Sequence, residues 1–210
     1  MASMPNMARI AVAVLAVLLV YVGRQFLRKL GRARSIDRAA EESQGTIHHR
    51  LESVALALGG SIVEGPALQT PKGRLALLAT RSPQDPAIDV VKLTVPLSSP
   101  FAVTVIPVAD QAKALETRTL RTVELGDPEL AARYKVLSSD ADFGRRIAKP
   151  ELVERLKELE KAVGARARLQ VAPHGATVLV ERDLAEPAQL QAFHDGSVAV
   201  IEAFRKLAGG

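Results

Sequence analysis

The side chains in this 210-residue sequence whose types and spacings could do chemistry fall into three groups, two lone histidines aside. His49 and Glu52 stand at i, i+3 beside His48, a spacing that can put two metal ligands on one helical face. Two ligands do not make a site, and His174 and His194 lie far away in sequence, so the trio reads as a solvated polar face. His174, between Pro173 and Gly175, reads as a hairpin-turn residue. Asp127, Asp140 and Asp142 could gather for carboxylate-dependent hydrolysis, but their positions have a simpler account. Asp127 belongs to a Gly-Asp-Pro turn, Ser139 or Asp140 can cap the helix that follows, and Asp142 falls in its first turn. Arg145, Arg146 and Lys149 could accept an anion or form a solvated charge run. There is no Walker-type Gly-Lys-Ser, no glycine-rich phosphate loop and no nucleophile elbow. With no cysteine, disulfides, thiol nucleophiles and thiolate metal sites are excluded. The sequence therefore predicts no catalytic residue, no cofactor and no metal-ligand set.

The elements that would position these groups begin with an apolar run from Ile10 to Val22. A bilayer core about 30 Å thick needs roughly 20 helical residues. Met7 and Ala8 lengthen the run, Arg9 can snorkel, and Phe26 and Leu27 extend its apolar stripe, which predicts a transmembrane anchor over residues 7–27 after a tail of residues 1–6. A cleaved signal peptide is the rival reading; the residues after the run offer no small-x-small cleavage site. A basic juxtamembrane stalk, residues 28–45, continues the cluster Arg24, Arg28, Lys29, Arg32, Arg34 and Arg38. Basic residues stay on the cytoplasmic side, so the expectation is a single-pass protein of the bacterial inner membrane with a cytosolic C-terminal domain. The same cluster is expected to meet anionic headgroups.

The net charge of +5 resides at that junction. Residues 23–38 carry six basic and one acidic residue and Arg9 adds one charge, whereas residues 39–210 carry 21 basic and 22 acidic residues. Together with only two Tyr, five Phe and no Trp for stacking, this argues against nucleic-acid binding.

Residues 46–210 read as one α+β domain, a mainly antiparallel sheet covered by amphipathic helices. Ile47, Leu51, Val54 and Leu58 line one helical face that Gly59-Gly60 ends. Short β-branched segments follow at 61–63, 74–80, 88–95 and 101–108, joined by connections too short for crossover helices, and predict an antiparallel meander. Residues 110–119 fit a helical turn or a loop, and 120–125 and 132–137 read as two more strands. A short helix is expected over 140–148. Pro150 opens a clearer one in which Leu152, Leu156, Leu159 and Val163 repeat at helical spacing until Gly164, opposite a face of Glu–Lys and Glu–Arg pairs. Residues 168–171 and 176–180 predict a hairpin. A last helix starts near Pro187 and carries Leu190, Phe193, Ser197, Ile201 and Phe204 in phase across Gly196, a glycine that costs roughly 1 kcal/mol relative to Ala and so leaves room for a break.

The ordered motifs Leu58-Gly59-Gly60, Gly126-Asp127-Pro128-Glu129, Val136-Leu137-Ser138-Ser139-Asp140 and Lys149-Pro150-Glu151-Leu152 resemble a loose class of bacterial membrane-anchored α+β domains of unknown function. The resemblance covers about Thr46 to Leu207. Members of that class often have Phe-Asp soon after the Gly-Asp and an aromatic residue in the next strand; here Leu130-Ala131 stand there, with Tyr134 after them. It implies an anchored domain and carries no activity or functional residue. The expected role is a membrane-tethered, non-enzymatic interaction or scaffold module with a protein partner. The alternatives are a small-ligand or lipid-binding domain with an apolar cavity beside the bilayer, and a carboxylate-dependent hydrolase.

Overall fold

Buried and half-buried residues alternate along Gly175–Glu181, because a pleated strand sends successive side chains to opposite faces, whereas Val103–Pro107 is buried at every position. The structure is a computed structural model that describes residues 47–80, 88–110 and 120–209. The expected anchor over 7–27, the stalk over 28–45 and the basic cluster from Arg24 to Arg38 lie outside the described residues. Among the described residues no helix is long and apolar enough to cross a membrane.

Helix α1 (47–55) leads into strands β1 (Ser61–Val63), β2 (Ala67–Thr70), β3 (Gly73–Thr80), β4 (Ile88–Val95), β5 (Val103–Pro107) and β6 (Arg121–Val123). Helix α2 (Pro128–Arg133), strand β7 (Tyr134–Ser138), and helices α3 (Ala141–Ile147) and α4 (Pro150–Val163) follow. Strands β8 (Ala167–Ala172) and β9 (Gly175–Glu181) and helix α5 (Pro187–Gly209) complete the chain. The nine strands form one antiparallel sheet in the order β1-β2-β3-β4-β9-β8-β5-β7-β6.

One register runs across the middle of this sheet: Leu75 opposite Leu93, Leu93 opposite Val178, Val178 opposite Leu169, Leu169 opposite Val105, and Val105 opposite Val136. All six residues are buried in a single apolar core with Leu51 and Val54 of α1, Phe143 of α3, Leu152, Leu156 and Leu159 of α4, and Phe193 and Phe204 of α5. These side chains fill the space between sheet and helices. The residues of the opposite face, including Lys92, Thr94, Arg168, Gln170, Thr177 and Leu179, take no part in that core.

Several expectations change. The strands do not form a simple meander: the β8–β9 hairpin inserts between β4 and β5, because β4 finds its second partner in β9 and β5 in β8. Strand β2, which the sequence analysis did not assign, pairs with both β1 and β3; Pro66 and Pro71 bracket it and it lacks a β-branched run. The segment from Ala132 begins as helix. Asp127 caps α2 by accepting from the N–H groups of Glu129 (2.9 Å) and Leu130 (3.2 Å), with Pro128 in its first turn, and β7 starts only at Tyr134. Helix α5 runs unbroken through Gly196, where a Cβ would come within 2.8 Å of Leu159 Cδ1. The glycine thus admits the close approach of α4. That helix closes, as expected, at Gly164, whose φ of 63° is the left-handed cap conformation.

Candidate functional site

The residues that the sequence singled out serve structure. Asp127 and Asp140 cap different helices, with Asp140 accepting from Phe143 N–H at 2.7 Å, and Asp142 pairs with Arg145 one turn on. Arg146 lies over the Phe143 ring, 5.1 Å from its centroid, and Lys149 precedes α4 on an exposed surface. His48 and His49 both approach Glu52, at 3.4 and 3.8 Å, from exposed positions. Among the described residues no group of three or more His, Asp or Glu side chains could hold a metal ion. His174 occupies the exposed turn between β8 and β9.

The structure assembles a cluster that the sequence analysis missed. Thr70 ends β2, and its hydroxyl oxygen accepts the N–H groups of Gly73 (3.1 Å) and Lys72 (3.3 Å), tying the β2–β3 turn. Its one proton serves either the Gly73 carbonyl at 2.9 Å or His194 Nε2 at 3.1 Å. His194 Nδ1 in turn donates to Asp195 Oδ1 at 2.9 Å. Hydroxyl, imidazole and carboxylate in that order is the arrangement of a nucleophile relay. Here Thr70 is 4% exposed and turn amides occupy its lone pairs, so the chain clasps a hairpin turn to α5. The available sequence signal was the position of His194 at i+4 from buried Leu190.

A cleft of about 380 Å³ opens where α2 hands over to β7. Its walls are Pro107 at the end of β5, Val108 and Ala109 after it, Ala132 and Arg133 of α2, Tyr134, Glu160 of α4, and Arg166 before β8. Tyr134 is the first residue of β7 and sits opposite Pro107 on the core side of the sheet. It is 2% exposed, and its hydroxyl is buried with no hydrogen-bond partner. Burial, and next the Glu160 carboxylate, push the phenol well above its usual pKa. The Glu160 carboxylate bears on the phenol both through its charge and as a side-chain acceptor outside standard hydrogen-bond geometry, and it accepts the Ala167 N–H at 3.0 Å.

On the opposite face of the sheet Arg168 donates to Asp110 (Nη2 to Oδ2, 3.1 Å) and to Glu181 (Nη2 to Oε1, 3.1 Å) with its side chain 12% exposed. Around that pair the face is mixed, with half-buried Leu78, Val90 and Leu179 between Lys92, Thr94, Gln170 and Thr177.

A fold of this kind, one antiparallel sheet with helices packed on one face, defines a two-layer α+β domain. No family model matches the chain, and no curated protein does. Among solved structures, the crystal structure of the mycobacterial trehalose monomycolate transport factor A is similar over 78% of this chain and 94% of that one, at 12% identity and a TM-score of 0.48. A likeness at this level assigns no function.

Proposed function

We propose that this chain is a membrane-tethered, non-enzymatic interaction module, anchored through residues 7–27 and recognising a protein partner on the open face of its sheet. The observation that carries the reading is the unequal burial of the two faces across β4 and β9: the helix-facing side chains are buried, while the other face offers half-buried Leu78, Val90 and Leu179 amid Lys92, Thr94 and Thr177; toward β5 and β7 that face is buried too, at Thr104, Ile106 and Leu137. A mixed, half-buried surface of this sort suits a partner that adds apolar contact and hydrogen bonds together. The aspartates that a hydrolase would use are engaged as helix caps or in a local ion pair.

The test is site-specific photocrosslinking in native membranes, with the reactive residue placed at Lys92 or Leu179 and, as control, at exposed Arg155 on α4. Discrete adducts from the two sheet positions and none from Arg155 are expected. Equal yields from all three positions, or none from the sheet, would overturn the reading.

A further inference from the structure

His194 is 5% exposed, and the proton of its neighbour Thr70 has two places to go. With Nδ1–H donated to Asp195, a neutral His194 presents a lone pair at Nε2, and the Thr70 hydroxyl donates to it at 3.1 Å. The two lone pairs of Thr70 Oγ1 then receive the amides of Gly73 (3.1 Å) and Lys72 (3.3 Å), while the Gly73 carbonyl keeps Gln69 Nε2 at 3.5 Å. Donors and acceptors at Thr70 and His194 are thus matched.

A second ring proton breaks the match. The imidazolium N–H at Nε2 points to Thr70 Oγ1, and the hydroxyl must turn its own proton to the Gly73 carbonyl at 2.9 Å. Three N–H groups then compete for two lone pairs. The Gly73 amide is held in place, because the residue is buried and so tightly packed that a Cβ there would meet the Thr94 carbonyl oxygen at 2.5 Å. Lys72 is exposed and makes the longest of the three contacts, so water can take over its N–H.

We propose that Thr70, His194 and Asp195 form a proton-sensitive latch: a proton taken up at His194 Nε2 swings the Thr70 hydroxyl to the Gly73 carbonyl and releases the Lys72 amide, loosening the β2–β3 turn from α5. That turn is the rim of a groove of about 290 Å³, with Pro71 and Lys72 on one side and Val198, Ile201, Glu202 and Arg205 of α5 on the other. The carboxylate in contact with the imidazole is that of Asp195, which balances the added charge. The turn brings Lys72, whose ammonium pairs with Glu202 at 3.6 Å, and Arg205 follows one turn along α5. The other elements along this length of α5 bring apolar groups, Val95 of β4 to the groove and Leu159 of α4 beside Gly196. The latch involves none of the sheet-face residues assigned to partner binding, and either reading can fail alone.

The test follows the isotope-labelled full chain, in a non-ionic detergent, by nuclear magnetic resonance from about pH 8 to about pH 5, the range in which imidazole takes up its proton. The chain has four histidines, and the exposed rings of His48, His49 and His174 serve as internal controls. At the alkaline end His194 is expected as the Nδ1–H tautomer. As the pH falls, the Lys72 amide resonance is expected to move with the His194 ring and not with the His174 ring. Its protection from solvent exchange, corrected for the intrinsic effect of pH, is expected to drop about fivefold, the weight of one ordinary hydrogen bond. His194→Gln puts an acceptor that does not titrate in the same place, and the Lys72 response is expected to vanish. An Nε2–H tautomer at the alkaline end, a His194 ring that stays neutral throughout, a Lys72 amide that does not follow it, or a response retained in His194→Gln would overturn the proposal. The tautomer and the joint titration are read in the unmodified chain, so they decide the matter even where the variant does not fold.

Discussion

Replacing Tyr134 with Phe keeps the ring among its neighbours and removes only the hydroxyl, so the change weighs that group directly. A buried polar group without a partner costs about 1–3 kcal/mol relative to its hydrated state in the unfolded chain. Tyr134 is 2% exposed and its oxygen has no hydrogen-bond partner, so the variant is expected to gain about 1 kcal/mol of stability. With a urea m-value of about 2 kcal/mol/M, that gain raises the unfolding midpoint by roughly 0.5 M. Alkaline pH supplies a second signature. The folded phenol's pKa lies above its ordinary value of 10.0, so the unfolded chain ionises first and stability falls as pH rises past that point. The slope from this one group approaches about 1.4 kcal/mol per pH unit. Urea unfolding of the full chain and the variant, followed by far-UV circular dichroism at neutral pH and again above pH 10, measures both effects, and the difference between the two proteins isolates Tyr134 from the lysines. A variant less stable by 1 kcal/mol or more at neutral pH would refute the reasoning, since it would mean that the hydroxyl is satisfied in solution by Glu160 or by water.

Thr70→Val removes the turn's hydroxyl and leaves His194 Nε2 unpaired beneath it; a loss of about 2 kcal/mol is expected by urea unfolding, with faster amide exchange at Lys72 and Gly73. Gly73→Ala sets a Cβ within 2.5 Å of the Thr94 carbonyl oxygen, a backbone contact that cannot rotate away, so a lowered thermal midpoint is expected at a cost of about 2 kcal/mol or more. A protease that reaches a C-terminal tag only after detergent lysis, and not in spheroplasts, is the expected outcome for a cytosolic domain; cleavage in spheroplasts would place the domain on the other side of the membrane and overturn the charge-based orientation.

The α4 boundaries were plain from Pro150, the repeat of Leu152, Leu156 and Leu159, and Gly164, because caps and helical periodicity are properties of adjacent residues. The β-branched runs of β4 and β5 were equally legible. Asp127 was read as a turn residue, whereas with Pro128 it starts α2, a distinction that depends on whether three following residues can pack. Strand order was beyond any local pattern: alternation says which side of a strand is apolar, and β4 would bury its side as well beside β5 as beside β9. Gly196 shows the same division, since its cost to an isolated helix is local while the Leu159 side chain that requires it comes from α4. Thr70 with His194, and Tyr134 with Arg133, Glu160 and Arg166, became clusters only through folding. The sequence by itself determined the apolar faces of its regular segments and the ends of α4. The tertiary structure alone decided which faces meet and which polar groups are left without a partner, because both depend on contacts between residues distant in the chain.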